Sequence, residues 1–321
     1  MSDAVVPHRE ASATPPAPPG WFKRALESDL FYSFRRSKLT MLAAAVTLLF
    51  FLLAIFAPLL TVQNPFDPAQ LQLANSRFAP LWTADGQSPF LLGTDEQGRD
   101  VLSAILYGLR ISLLVGVLGV LLSGTIGIVL GLIAGYVGGA IDSLIMRVAD
   151  VQLTFPAILI ALLINGVAIS VFGNRMGGMS MLVVLVLAIG LSFWVQYART
   201  VRGTVLVEKN KDYVAAAQLI GLPAPVIMLR HVLPNAMGPV LVIATINLAL
   251  AIITEATLSF LGVGLPDTMP SLGTLIRIGN NYLFSGEWWI VAFPGFALAA
   301  LILSINLLGD WLRDALNPKL R

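Results

Sequence analysis

The chain has 321 residues, 57% hydrophobic and only 12% charged, with a mean hydropathy of +0.82. A soluble domain carries about a quarter charged residues, so this composition excludes a soluble globular protein and specifies an integral membrane one. A net charge of +2 supplies no basic field for nucleic acid, and zero cysteines exclude a disulfide framework or a thiolate metal site.

Residues 1–20 are rich in Pro, Ala and Ser and are predicted to be a disordered cytosolic tail. No apolar core precedes residue 40, so no signal peptide is expected. Residues 21–39 mix aromatics with Lys23, Arg24, Arg35, Arg36 and Lys38. That pattern suits an interfacial helix, which would also be a basic flank orienting the first span.

Residues 40–62 are the first of six predicted transmembrane helices, making the chain an all-α, polytopic helical membrane protein. A long polar loop, 63–108, follows and contains GTDEQGRD at 93–100. Thr94 there reads as a helix N-cap, with Gln97 at the capping-box position and Asp95 and Glu96 favouring a helix start. Gly93 and Gly98 are not a phosphate cradle, because no Lys-Ser/Thr follows at P-loop spacing. ATP is therefore expected on another chain.

The second span, 111–134, carries small residues at near-helical spacing (Gly116, Gly119, Ser123, Gly124, Gly127, Gly131), which let helices approach closely. After Gly138–Gly139, residues 142–165 form the third span, with Pro156 in its middle as a kink. Its Arg147 and Asp150 are three residues apart and read as an i,i+3 pair, or as part of an inner gate. Asn165 is a candidate for a polar pathway or for an inter-helix hydrogen bond. The fourth, fifth and sixth spans are 181–198, 236–257 and 288–308, with Pro294 kinking the last. Glu255, near one end of span five, is either a pathway carboxylate or a cap for the 257–262 turn. The loop 258–287 predicts a short helix over the mouth of the pathway. Residues 311–321 predict an amphipathic end with Leu312, Ala315 and Leu316 inward. His8 and His231 are too far apart in setting to share a metal.

Between spans four and five, residues 212–235 read DYVAAAQLIGLPAPVIMLRHVLPN. A short helix is expected up to Gly221, whose freedom at positive φ stops it. A second runs from Pro225 to about Val232, and Pro234 then redirects the chain. Only Arg77, Arg99, Arg110, Arg175 and Arg277 of the 20 Lys and Arg fall on the side opposite this stretch. The three-to-one bias places both termini and 208–235 in the cytosol.

Ala215-Ala216-Ala217, Gly221 and Leu233-Pro234 resemble the coupling motif of ATP-binding cassette importer permeases, with Ala215 where Glu is usual and His231 where an aliphatic residue is usual. LLGTDEQGRDVLSAILYGLR at 91–110, EATLSFLGVG at 255–264 and the segment 288–321 extend the resemblance. From about residue 30 onward the chain resembles the second, C-type permease subunit of the dipeptide/oligopeptide/nickel importers. The resemblance implies a type I importer permease fold with a core over 109–310, in a bacterial inner membrane. It implies a heterodimer with a second permease, two cytosolic ATPases that bind ATP and Mg, and an extracytoplasmic solute-binding protein. It makes Ala215, Ala216, Ala217, Gly221, Leu233 and Pro234 the ATPase-coupling residues. This chain itself would be non-catalytic and carry no cofactor. Two other classes make different demands on the sequence. An ion-coupled secondary transporter predicts inverted repeats or mid-span acids. A membrane-embedded enzyme predicts a nucleophile or a metal cluster.

Overall fold

A computed structural model describes residues 29–65, 67–172 and 177–316. The tail 1–20, the start of the interfacial segment and residues 317–321 lie outside the described residues. Besides short 3-10 turns at Pro68–Gln70, Leu73–Asn75 and Leu283–Ser285, the described residues form ten helices: α1 Asp29–Arg36, α2 Lys38–Leu60, α3 Val101–Val137, α4 Gly139–Leu153, α5 Ala157–Phe172, α6 Gly178–Glu208, α7 Asp212–Leu219, α8 Ala224–Phe260, α9 Leu272–Asn280 and α10 Trp289–Ala315. Five of them are long and apolar enough to cross a membrane. The α4–α5 pair makes up to six if the two are one span.

Each span begins and ends where its sequence supplies the chemistry. Ser37 opens α2 by accepting from Thr40 N–H at 3.2 Å, and the 23 residues that follow reach about 34 Å, enough for a bilayer core. Asp100 opens α3, accepting from Ser103 N–H at 2.8 Å and Ser103 Oγ at 2.6 Å. Thr94 is therefore not the cap expected from the sequence. Its hydroxyl accepts from Phe78 N–H and donates to Asn75 C=O, stitching the loop to itself.

The glycine stripe of α3 lies against α6, and this is the most extensive helix pairing in the fold. A Cβ on Gly127 would sit 2.4 Å from both Trp194 O and Tyr197 Cβ. Only the absence of a side chain lets the two backbones come this close. Lys209 Nζ then donates to Gly135 C=O at 2.8 Å, closing the far end of the pair.

The third predicted span is not a single kinked helix. α4 and α5 meet at 91°, with the break at Thr154–Pro156. Proline lacks the N–H that would continue the ladder and pushes the preceding residue away from helical geometry. Gln152 secures the corner, donating to Leu191 C=O at 2.6 Å and accepting from Trp194 Nε1 at 2.7 Å.

Pro234 does not redirect the chain either. Ile227–Val232 widens to π-helix just ahead of it, and α8 runs on to Phe260. A π-turn relieves the ladder where proline removes a donor. Between α8 and α10, α9 is capped by Ser271 and packs on both. It matches the short helix expected in 258–287. At the other end, Leu312, Ala315 and Leu316 are half-buried while Arg313 and Asp314 are exposed. Phe34 of α1 meets Trp311 edge to face, with ring centroids 5.3 Å apart.

Candidate functional site: the α7 platform

α7 carries two faces. Val214 and Ala217 are buried and join Val201, Val205, Ile227 and Val232 in one apolar cluster with Leu132 of α3. Ala215 and Ala216 are exposed, and Leu219 and Ile220 are 87% and 75% exposed. Of the predicted coupling residues, Ala217 therefore turns into the core and Leu233 is half-buried. Pro234 and Gly221 stay exposed, as do Ala215 and Ala216.

The turn at Gly221 is what presents this face. Gly221 sits at φ +79, its N–H donates to Gln218 C=O at 3.0 Å and Leu222 N–H donates to Ala217 C=O at 3.1 Å. That is a Schellman ending, in which a left-handed residue satisfies the last carbonyls. Among the described residues, no other group lies within 4 Å of the position where its Cβ would be.

A polar clasp braces the platform. Glu208 accepts from Lys211 Nζ at 2.6 Å and from Tyr213 OH at 2.5 Å, and Asn235 Nδ2 donates to Tyr213 OH at 3.1 Å. Partial burial and the Glu208 carboxylate push the Tyr213 hydroxyl up, so it stays protonated as a donor. α6, α7 and the start of α8 are thus joined by three side chains. The exposed Leu219 and Ile220 are the platform residues that sequence reasoning missed. Both precede Gly221 in a helical pattern, but a helix this short does not reveal from sequence which side is covered.

The candidate pathway residues are scattered. Asp150 pairs with Arg199 of α6, so the expected Arg147–Asp150 pair does not form. Arg147 is exposed and has no ion pair among the described residues. Asn165 is 2% exposed, and its Nδ2 finds no hydrogen-bond partner among the described residues. Glu255 is fully buried, accepting from Ser112 Oγ at 2.7 Å and from Ser259 Oγ at 2.8 Å. It joins α3 to α8 through Ser112 and reaches the 257–262 turn through Ser259.

At the end opposite α7, Arg99 is 1% exposed. Its Nε lies 2.9 Å from Asp95 Oδ2 but out of hydrogen-bond alignment, so the contact acts as an ion pair. Nη1 also donates to Asp267 C=O at 3.3 Å. Burial pushes Asp95 above the ordinary carboxylate range despite Arg99. Burial, then the neighbouring Asp95 charge, does the same to Glu96. The GTDEQGRD loop is therefore a folded brace between 93–100 and 267.

Known proteins are similar to this chain. The family described as binding-protein-dependent transport system inner membrane component matches residues 127–321. The chain belongs to that family. The N-terminal transmembrane domain of oligopeptide transport permease C matches residues 28–80. The permease is 41% identical over 294 residues to the dipeptide transport system permease protein DppC of Escherichia coli K12, covering 91% of this chain and 93% of the relative. It is 37% identical over 293 residues to the di/tripeptide transport system permease protein DppC of Pseudomonas aeruginosa, covering 91% and 92%. The oligopeptide transport system permease protein OppC of Bacillus subtilis is 35% identical over 297 residues, covering 92% and 91%. This is a multi-pass permease of the bacterial inner membrane. Kinship supports the importer reading and not the ion-coupled alternative.

Proposed function

We propose that the permease forms half of the translocation pathway of an ATP-driven importer for short peptides, and that α7 is where ATPase motion enters it. The carrying observation is the exposed Leu219–Ile220–Gly221 tip on a base buried against α3, α6 and α8. An exposed apolar patch suits a protein partner, and the Lys and Arg bias supports a cytosolic side for it and for both termini. Ala215, Ala216, Gly221 and Pro234 offer a low-relief contact, while Ala217 and Leu233 fix the platform to the spans. Two ATPase subunits, which hold ATP and Mg, would each grip one such platform. Their closure on ATP shifts the permease equilibrium through differential affinity for its two conformations.

The second permease would cover the face where Leu144 and Val148 of α4 and Leu163 of α5 are exposed. Arg147 and Asn165, with polar capacity left over on the same two helices, are the residues to place at the gate between them. The solute-binding protein would dock at the opposite end, where a cleft of about 660 Å³ opens between Arg77, Asp85 and Glu287. Peptide as the cargo rests on the relatives.

Gly221→Asp tests the coupling. It puts a β-carbon at positive φ and a charge into the apolar tip without a clash inside the chain. In proteoliposomes holding the whole importer, transport is expected to fall about tenfold or more, as expected when a patch-centre contact is lost, with insertion unchanged. Gly221→Asn, which tolerates the left-handed conformation, retains more activity. Wild-type import by Gly221→Asp would overturn the assignment.

A further inference from the structure

Arg110 lies within the membrane-crossing helix α3 and is exposed. Among the described residues, no side chain or carbonyl pairs with it. Beside it is an apolar groove of about 370 Å³, walled by Phe51 and Ile55 of α2 and by Leu113, Leu114 and Val117 of α3. α2 itself is mostly exposed, with only 17% of its membrane window buried.

An arginine at membrane depth is costly unless it turns inward, pairs or reaches the interface. The fold gives Arg110 neither of the first two. Its depth gives it the third. It lies nine residues from Gly119, the midpoint of α3, which is about 13 Å along the axis. The half-thickness of the hydrocarbon core is about 15 Å. The guanidinium therefore reaches the headgroup level of the leaflet opposite α7, while Leu114 and Val117 lead the groove inward among the acyl chains.

We infer that this groove is a binding site for one phospholipid, its phosphate paired with Arg110 and an acyl chain lying between α2 and α3. Phosphate is the anion that meets a lipid-facing cation at this depth, and guanidinium takes two of its oxygens at once. The bound lipid neutralises Arg110 and seals α2 to the rest of the bundle.

The test is native mass spectrometry of the full chain with dioleoyl-phosphatidylglycerol, against dioleoylglycerol, which has the same chains and no phosphate. Arg110→Ala is expected to weaken phosphatidylglycerol binding about tenfold, the loss of a charge-assisted pair, and to leave dioleoylglycerol unchanged. Leu114→Trp fills the groove and weakens both. Arg77→Ala, which removes an exposed cation outside the membrane, changes neither. Wild-type phosphatidylglycerol binding by Arg110→Ala, or an equal loss in Arg77→Ala, overturns the site. So does a loss of the second permease on co-purification of Arg110→Ala with lipid binding intact, since the face would then belong to a protein partner. Should Arg110→Ala fail to fold, Leu114→Trp still decides, because retained binding of both lipids refutes the groove.

Discussion

Arg202 grips both carboxylate oxygens of Asp142, Nε donating to Oδ1 at 2.5 Å and Nη2 to Oδ2 at 2.7 Å. With Asp150 held by Arg199, α4 is clipped to α6 by two ion pairs before the chain turns through 91° into α5. Asp142→Ala should destabilise the permease by about 1–2 kcal/mol, reduced from the value for a dry bidentate pair because Arg202 is 33% exposed. A double-mutant cycle with Arg202→Ala, read by thermal unfolding in detergent, isolates the coupling. Additive losses would show that the clasp does not hold α4.

The α3–α6 contact predicts opposite outcomes for two glycines. Gly127→Ala puts a Cβ 2.4 Å from Trp194 O and should cost about 1–3 kcal/mol or block assembly. Gly203 lies within α6 with no group within 4 Å of a Cβ. Gly203→Ala should stabilise by up to about 1 kcal/mol through helix propensity. Equal effects on the melting temperature would contradict the packing described.

The buried brace at 93–100 predicts a pH dependence. Asp95 and Glu96 have carboxyl groups raised by burial. The folded loop then binds more protons than the unfolded one between the ordinary carboxylate range, about 4, and the raised folded values. Its stability is greatest below that range and is lost as pH rises through the folded values. Hydrogen exchange across 91–100, corrected for intrinsic rates, should slow on acidification from neutral pH. Asp95→Asn and Glu96→Gln together should flatten the profile.

Leu219→Asp and Ile220→Asp charge the exposed tip of α7. Both side chains are exposed, so stability should change by no more than about 0.5 kcal/mol. ATPase co-purification and peptide uptake should fall together. Val214→Asp, on the buried face, should instead unfold the platform and reduce the amount of permease itself. Retained ATPase association in both tip variants would move the docking surface elsewhere.

Much of the fold was legible in the sequence. Long apolar segments separated by polar ones specify spanning helices, because lipid offers backbone groups no other partner. The Gly221 stop was legible too, since few residues besides glycine end a helix in the left-handed conformation. The Ala-Ala-Ala, Gly and Leu-Pro spacing, together with the segments 91–110, 255–264 and 288–321, carried the family resemblance. Local pattern misled wherever a distant partner decided. Thr94, Gln97 and the neighbouring acids fit a capping box, but Asn75 and Phe78 take the threonine hydroxyl, leaving Asp100 to open α3. Arg147 and Asp150 have helical spacing, but Arg199 from α6 takes the carboxylate.

The sequence by itself determined that the chain is helical, spans the membrane and carries a helix–Gly–helix platform, because hydropathy and glycine conformation act locally. Only the tertiary structure decided that Ala217 anchors while Leu219 and Ile220 are presented, and that Ser112 shelters Glu255 within the bundle. It also decided that Arg110 faces outward beside an apolar groove. Which side of a helix is covered depends on what packs against it, and those neighbours come from elsewhere in the chain.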